Sequence, residues 1–363
     1  MHMIRNGEAN DTFFRLLRAA VRTPDQTEGD IWAQVTALNL MEDRLHALMS
    51  EYELSNLVSF ADEIHNRCER AMRDAFSRTP NGSYSFGFQT DGLSKPFHFN
   101  VTVTIKDDTA HVDWTGTSDQ VDRAINCPAV YTFAMTSYAL KCIFLPDLPN
   151  NEGVFRSFTM HAPEKSIVNP QRPASVGGRM ATGHYLPTAI FGALAKALPD
   201  KVMAASGSPL WSIIQTGVDD EGKPVANTLF FNGGSGATAQ TDGQSCYSWP
   251  SNISNVPIEL TERNTPFFIE RKALRPGSGG AGMRRGGDGQ EIILRHAGKS
   301  NIGIIFMAER LRHAAHGLLG GEAGANGEVL IDDKLADVRT DHVFSPGQTI
   351  TLRLPGGGGY GSR

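Results

Sequence analysis

The histidines and acidic residues of the chain show few spacings suited to binding a metal ion. Eleven histidines are present, but neither H-x-x-x-H nor H-E-x-x-H occurs, the spacings that place two imidazoles on one helical face. His111 and Asp113 lie two apart in a predicted strand, so they share a face and could both ligate a metal. Such a pair on an exposed strand is common without a metal. The sequence therefore predicts no metal site in this chain.

Two further histidines and the cysteines offer weaker signals. His313 and His316 are three apart in "ERLRHAAHG" and could meet on a helix, or His316 could end that helix before a glycine. Cys127 falls at a predicted helix start, where the helix dipole lowers a thiol pKa. We favour a buried structural cysteine there. The four cysteines form no C-x-x-C pair, which argues against a zinc knuckle or a disulfide framework and is typical of a reducing cytoplasm.

Two arginines and a histidine flank glycine-rich segments. Arg179 and His184 lie in "GGRMATGH", and Arg275 lies in "ALRPGSGG". A guanidinium group in such a loop can bind a carboxylate through two parallel hydrogen bonds. An internal ion pair that fixes the loop explains the arginines equally well. His184 either contacts a ligand or is partly buried at the start of a predicted helix.

Glycine is the compositional outlier, with 38 residues. Three dense runs stand out: "NGGSGATAQTDG" (232–243), "RPGSGGAGMRRGGDG" (275–289) and "PGGGGYG" (355–361). None matches the phosphate-loop pattern G-x-x-x-x-G-K-[ST], and none has the strand–G-x-G-x-x-G–helix order of a dinucleotide site. The runs are either turns between strands or backbone whose amides line a site or an interface. We favour a structural role over direct catalysis.

The elements that must position these residues change character along the chain. Residues 11–78 have helical periodicity, and a second predicted helix carries apolar residues at three- and four-residue steps, typical of one buried stripe. That stripe comprises Ile31, Val35, Leu38, Met41, Leu45 and Leu48. A third predicted helix repeats apolar residues every four positions from Phe60 to Phe76, with Cys68 on that face.

After residue 80 the period becomes two. The segments "YSFGFQT", "FHFNVTVTI" and "AHVDWTG" predict an antiparallel meander, and residues 129–145 predict a helix. The turn-rich "LPDLPNNEG" marks a boundary, and β signals dominate beyond it. The fold class is α+β: a helical N-terminal region, then a β-rich body with packed helices and glycine-rich loops. We expect units at 1–80 (helical), 81–150 (meander plus helix) and 151–363 (β-rich).

Composition excludes several classes of protein. The chain has 363 residues, 40% of them hydrophobic and 20% charged, with a net charge of −5. No basic stretch could neutralise a run of phosphates, so a nucleic-acid partner is not expected. The sequence has no apolar run that could span a bilayer and no signal peptide at its N-terminus, which favours a cytoplasmic protein without membrane contact.

Taken in order, five segments resemble the hydantoinase B/oxoprolinase family along essentially the whole chain. They are "RTPDQTEGDIWAQ", "VDWTGTSDQVDRAINCP", "IVNPQRPASVGGRMATG", "NISNVPIELTERNTPFFIERKALRPGSGGAGMRRGGDG" and the final "PGGGGYG". The same family includes subunits of acetone and acetophenone carboxylases. The resemblance implies a hetero-oligomer with a hydantoinase A-type ATPase subunit, which binds ATP and Mg²⁺ and activates a carbonyl or amide oxygen. This chain would then serve an ATP-dependent cyclic-amide hydrolase; the alternatives are a ketone carboxylase and a non-catalytic scaffold subunit.

The sequence departs from the family where family members bind a divalent metal, Zn or Mn. The motifs "NDPY…GGTH.PD" and "H…D.GG" precede the helical segment in the family and are absent here; "NDTFF" and "HVDWTG" match neither. We therefore assign no metal ligand to this chain alone. The chain is expected to be either a natural split subunit, with a partner chain carrying the metal-binding half, or a C-terminal fragment.

Loop residues are the candidates for a contribution to a small-molecule site. Arg179, His184 and Arg275 are catalytic candidates, and Arg275 could hold a phosphate or carboxylate. Asn232, Gly233 and Gly234 are substrate-binding candidates, because they could offer amide groups to an oxyanion. We interpret "PGGGGYG" as backbone packed closely against another element, anchored by Tyr360, and that element as the missing metal-binding half.

Overall fold

The computed structural model describes residues 1–207, 211–218, 220–222 and 224–363. At the N-terminus a short hairpin, β1 (Ile4–Arg5) and β2 (Glu8–Ala9), precedes three helices: α1 (Asp11–Ala20), α2 (Pro24–Glu51) and α3 (Val58–Ser77). The predicted helical region is thus confirmed. On α3 the four-residue repeat buries Cys68, Met72 and Phe76 against the body, as the periodicity indicated.

Helix α2 forms as predicted, but the prediction that its stripe is buried is wrong. No residue of α2 is buried, and Leu38, Met41 and Leu45 are 59%, 54% and 38% exposed. The helix contacts α1, where the rings of Phe14 and Trp32 stack with centroids 5.3 Å apart. The other residues of its apolar stripe are exposed or half-buried.

The first packed layer is a four-stranded sheet in the order β3-β4-β5-β6. Its strands are β3 (Gly82–Thr90), β4 (Phe97–Lys106), β5 (Thr109–Asp113) and β6 (Phe158–His161), and its helices are α4 (Ala129–Phe144), α5 (Glu152–Phe155), α6 (Met180–Gly183) and α7 (Leu186–Leu194). Alternate residues of β4 point into a core shared with α3, α4 and α7. The predicted meander is confirmed.

The expected boundary at residue 150 falls within this sheet. Strand β6 follows the boundary and pairs in parallel with β5, which precedes it. The three expected units stay a prediction.

The C-terminal half contains two more sheets, which share one core. The first has the order β14-β11-β7-β8 and the second the order β13-β12-β15-β10-β9. The elements are β7 (Trp211–Val218), β8 (Pro224–Phe231), α8 (Ile258–Asn264), β9 (Phe267–Leu274), β10 (Gln290–His296), β11 (Ile302–Met307), β12 (Glu328–Ile331), β13 (Lys334–Leu335), β14 (His342–Phe344) and β15 (Thr349–Arg353). Mixed helices and sheets confirm the α+β class.

The glycine runs meet in one bundle. Residues 356–359 form its centre and loops 204–207, 233–237, 278–287 and 316–325 surround them; we call this the glycine bundle. The amides of Gly357, Gly358 and Gly359 donate to the carbonyls of Gly287, Ala205 and Glu322 at 2.8–2.9 Å. Since these hydrogen bonds run to three different segments, the centre is enclosed by main chain.

Close backbone approach explains the glycines. A Cβ atom added at Gly356 would overlap the carbonyl of Ser278, and one at Gly358 the carbonyl of His316. Tyr360 is 3% exposed, and its hydroxyl donates to the Pro199 carbonyl. Close packing and the tyrosine anchor are therefore confirmed. Interpreting "PGGGGYG" as a contact with a missing half is wrong, because the packing partners are loops of this same chain.

Candidate functional site

A mostly apolar cavity with a volume of about 600 Å³ lies between the two halves. Its floor is the outer face of the β14-β11-β7-β8 sheet, formed by Ser212, Ile214, Phe230, Ile305 and Met307. The alternation of strands explains this floor: Trp211 and Ile213 point into the second core, so their neighbours on β7 face the opposite way. Loops 91–93, 123–125 and 177–181 form the facing wall, and residues 308–312 and 338–341 close one side.

Glu309 follows β11 and presents a carboxyl group at this cavity. Burial, together with the neighbouring Asp91 charge, raises the pKa of Glu309 to about 8, although Arg310 opposes the rise. The Tyr185 hydroxyl donates to Glu309 Oε2 at 3.4 Å, and Trp211 Nε1 donates to the Glu309 carbonyl at 2.8 Å. A carboxyl group held in place and neutral at pH 7 can donate a proton.

Arg310 lies behind Glu309 in the interior. It is 1% exposed, and its guanidinium carbon lies 4.8 Å from the centroid of the Tyr185 ring and 5.9 Å from that of Phe88. Nη1 donates to the Ala314 carbonyl at 3.2 Å, while Nε and Nη2 have no hydrogen-bond partner. Stacking on the two aromatic rings offsets part of the desolvation free energy of the buried guanidinium group. It also holds the Tyr185 ring, whose hydroxyl contacts Glu309, in place.

Asp91 fixes the segment that carries Glu309. Its carboxylate accepts the backbone N–H groups of Leu311 (2.6 Å), Arg312 (2.9 Å) and His313 (2.8 Å). Successive amides that converge on one carboxylate cannot also donate to carbonyls four residues earlier. The helix considered for His313 and His316 therefore does not form, and residues 308–317 are bends and irregular backbone. His313 Nδ1 lies 3.2 Å from Asp91 Oδ1.

His316 is far from a helix end and is buried between aromatic rings. Its ring centroid lies 5.1 Å from those of both Phe86 and Phe88. Burial, together with the neighbouring Arg310 charge, lowers the pKa of His316 to about 3. The imidazole is therefore neutral, which excludes the predicted interaction of a charged histidine with a helix C-terminus.

Arg179 and His184 are brought together at Tyr131, beside the cavity. Arg179 is exposed, with its guanidinium carbon 5.6 Å from the centroid of the Tyr131 ring. His184 is 8% exposed, and its Nε2 lies 3.2 Å from the Tyr131 hydroxyl. The neighbours of Arg179, Gly178 and Met180, line the cavity. The catalytic roles proposed for the two residues stay predictions.

Arg275 lies away from this cavity, next to the glycine bundle. Its Nη1 donates to the carbonyls of Asn326 (2.7 Å) and Leu354 (3.2 Å). The guanidinium group therefore braces backbone of the chain itself. The phosphate or carboxylate contact expected for Arg275 finds no support in this geometry.

The three substrate-binding candidates are also engaged within the chain. Asn232 is 2% exposed; its Nδ2 donates to the Ile253 carbonyl at 2.8 Å and its Oδ1 accepts from the Ser248 hydroxyl at 2.6 Å. The Gly234 amide donates to Pro355, and the Gly233 carbonyl accepts from Tyr247. Offering the Asn232 side chain or the Gly234 amide to an oxyanion would require these bonds to break, and the substrate-binding role of the three residues stays a prediction.

His111 and Cys127 were the candidates for metal binding and for thiol chemistry, and the structure shows the surroundings of each. His111 Nδ1 lies 2.7 Å from Thr159 Oγ1. Across the described residues, no group of three or more His, Cys, Asp or Glu could hold a metal ion. Cys127 is fully buried, and burial raises its pKa to about 12. The favoured interpretation of a structural cysteine is confirmed.

A second cavity, of about 570 Å³, lies by the ends of β7 and β8. Its His296 has Nε2 2.8 Å from the Ser300 carbonyl and Nδ1 3.3 Å from the Pro266 carbonyl. That histidine joins two loops, so the Glu309 cavity is the stronger candidate site. No described helix is long and apolar enough to cross a lipid bilayer.

Sequence reasoning missed Glu309, Asp91 and Ser212. The strand preceding Glu309 was predicted, and a charged pair directly after an apolar strand was the available signal. Nothing in the local pattern indicates that Glu309 contacts Tyr185 or lies near Asp91, because both come from the first half of the chain.

Comparison with known proteins gives a consistent picture. All 363 residues match the family model described as hydantoinase B/oxoprolinase. An uncharacterized protein of Methanocaldococcus jannaschii is 33% identical over 99% of this chain and 64% of its own length. The B component of a proposed D-/L-hydantoinase of Pseudomonas sp. is 29% identical over 98% of this chain and 63% of its own length. 5-oxoprolinase 1 of Arabidopsis thaliana is 27% identical over 92% of this chain and 27% of its own length.

Two solved structures share the fold. The ATP-dependent caprolactamase of Pseudomonas jessenii superposes with a TM-score of 0.86 at 25% identity, over 99% of this chain and 65% of that one. Nucleotide-free acetone carboxylase gives a TM-score of 0.84 at 16% identity, over 99% and 56%, a likeness that shows the fold alone. The chain spans less than two thirds of the length of each of these relatives and structures.

Proposed function

Because this chain belongs to the hydantoinase B/oxoprolinase family, we propose that it is a subunit or C-terminal part of an ATP-dependent cyclic-amide hydrolase. The match to the family model confirms the resemblance of its five sequence segments. The observation that carries the proposal is the cavity of about 600 Å³, in which an apolar floor lies beside the Glu309 carboxyl group. An uncharged ring with one amide group suits both surfaces.

The proposal assigns ATP chemistry to a partner. A hydantoinase A-type ATPase subunit would bind ATP and Mg²⁺ and activate the amide oxygen. The glycine bundle does not fit a nucleotide, since the central amides of Gly357, Gly358 and Gly359 already donate to backbone carbonyls. The family resemblance also implies a divalent metal, and the described residues offer no three-donor set for it. We assign that metal to another chain or to the part of the relatives that this chain does not span.

A ketone carboxylase is the second candidate. Its support is the fold shared with acetone carboxylase, which says nothing of the reaction. A scaffold subunit without catalytic residues is the third. Support for the hydrolase over the scaffold comes from Glu309, since a half-buried carboxyl group at a cavity stabilises a fold less than an apolar side chain of similar volume.

Reconstitution tests the proposal. Chains that co-purify with this one, among them an ATPase subunit, would be combined with it and supplied with ATP, Mg²⁺ and ε-caprolactam, 5-oxoproline or hydantoin. We expect ADP release that depends on one cyclic amide, with ring opening and without bicarbonate. A requirement for bicarbonate and a ketone would instead identify the carboxylase. Full turnover with Glu309→Gln in an intact complex would favour the scaffold.

A further inference from the structure

Ser212 and Glu309 form what we call the polar edge of the cavity. The proposed function assigns no role to Ser212. Ser212 is 3% exposed and lines the cavity, yet its Oγ has no hydrogen-bond partner. A buried hydroxyl group without a partner is unfavourable, and few are left so in folded proteins. This hydroxyl lies on the cavity face of β7, in register with Met307 of β11. Since the oxygen itself has almost no accessible surface, a polar group of a ligand would satisfy it after the Ser212 side chain rotates toward the cavity.

Glu309 supplies the second group of this edge. The residue comes two positions after Met307, just past the end of β11, and lines the same cavity as Ser212. Its main chain is held by the indole of Trp211 and its carboxyl group is contacted by Tyr185. A side chain held at both ends loses little freedom when a ligand binds, which favours a defined geometry.

The charged and titratable groups around Glu309 explain its protonation. Tyr185 contacts its carboxyl group, Asp91 disfavours a second negative charge, and Arg310 and Arg312 favour one. Burial outweighs the two arginines and raises the pKa of Glu309 to about 8. At neutral pH the cavity is thus lined by a carboxylic O–H and by an unpaired hydroxyl.

Resting on the proposed function, we propose that Glu309 is the proton donor of ring opening and that Ser212 binds the same amide group. The neutral Glu309 donates a hydrogen bond to the bound amide. The partner first transfers the γ-phosphoryl group of ATP to the amide oxygen and releases ADP. Water then adds to the activated carbon and forms the new C–O bond, and hydrolysis of the acyl phosphate left after ring opening releases inorganic phosphate. When the C–N bond breaks, its electron pair goes to nitrogen, which takes the Glu309 proton. The proton released by the added water returns Glu309 to its neutral form.

Ligand binding tests this assignment without turnover. The affinity of the full chain for ε-caprolactam would be measured by calorimetry at several pH values on both sides of 8. We expect Kd to rise about tenfold per pH unit above that pKa, since only the neutral acid donates. Glu309→Gln keeps a donor that does not titrate, so its Kd should be flat with pH. Ser212→Ala should raise Kd about five- to tenfold at every pH.

Turnover supplies the second measurement. In the reconstituted complex Glu309→Gln should lower kcat about 10²- to 10⁴-fold with little change in KM. Glu164→Gln, at an exposed glutamate, is the matched control and should change neither. A wild-type Kd that is independent of pH, or absence of binding, overturns the assignment whether or not the complex turns over. A complex that opens no cyclic amide overturns the proposed function, and the calorimetry still decides whether Glu309 donates to the ligand.

Discussion

Replacing Gly357 by alanine tests whether the glycine bundle requires residues without side chains. The Gly357 amide donates to the Gly287 carbonyl at 2.9 Å, and its carbonyl accepts from the Gly280 amide at 2.8 Å. A Cβ atom at this position would overlap the Ser235 carbonyl. That oxygen belongs to backbone, so no rotation of a side chain can make room, and the segment must move away from its partners.

The expected cost follows from these contacts. Displacement weakens two backbone hydrogen bonds, each contributing about 1 kcal/mol net. Forcing an extra carbon into packed backbone adds about 1–3 kcal/mol. We therefore expect Gly357→Ala to lower the free energy of unfolding by about 3–5 kcal/mol, a large share of the 5–15 kcal/mol typical of a folded domain.

Urea unfolding followed by tryptophan fluorescence measures this change. Trp211 packs close to Gly327 and Pro355 at the edge of the bundle, so its emission reports on the region. Gly29→Ala is the control, because a Cβ atom there meets nothing within 4 Å. Alanine in that helix should leave stability unchanged or raise it by up to about 1 kcal/mol. A Gly357→Ala protein within about 0.5 kcal/mol of the wild type would refute the packing argument.

The remaining predictions concern a carboxyl group, an exposed helix and a thiol. Burial raises the pKa of Glu309 from 4.5 to about 8. Between these values the folded state binds one proton more than the unfolded state, so wild-type stability falls as pH rises from 4.5 to about 8 and is level above it. Urea titrations should find Glu309→Gln gaining stability relative to the wild type over that range, with no relative change below pH 4.5. Leu45→Ser on the exposed helix α2 should change the unfolding free energy by less than about 0.5 kcal/mol. Met72→Ala on α3, at a fully buried residue, should lower it by about 2–5 kcal/mol. Equal losses in the two variants would mean that another part of the molecule covers α2. Native iodoacetamide labelling, read by mass spectrometry, should leave Cys127 unmodified until the chain unfolds, and rapid modification of the folded chain would contradict its burial.

The hydrophobic periodicity of the sequence predicted those helices and strands whose buried face follows a regular repeat. The strict alternation of Phe99, Val101 and Val103 identified β4, because one face of that strand is buried and the other is not. The four-residue repeat of α3 gave its buried face. On α2 the same kind of repeat identified the helix but not its environment. A period tells which residues share a face, and what covers that face is decided by other parts of the chain.

The candidate site was harder to predict, because its properties arise from contacts distant in sequence. Asn232 and Arg275 lie beside glycine runs and resemble ligand-binding residues in the sequence. In the structure, however, their side chains donate hydrogen bonds to backbone carbonyls of other loops. Glu309 resembles any surface glutamate until Tyr185 and Asp91 are brought to it. Only the glycine runs indicated a contact between distant parts of the chain. They predicted close backbone packing, although they did not identify the segments that pack together.

The glycine bundle also sets an order of events during folding. Its central segment, residues 356–359, binds loops that precede it in the chain, the most distant through the Ala205 carbonyl. These contacts cannot form during synthesis until residue 359 has been made, although the β3–β6 sheet closes over much shorter separations. Until then the loops that will surround the centre keep unpaired amides and carbonyls, and a chaperone or a neighbouring chain can reach them. Completion of the C-terminal half is therefore a late, long-range closure, and destabilising the bundle should slow refolding of that half more than of the first.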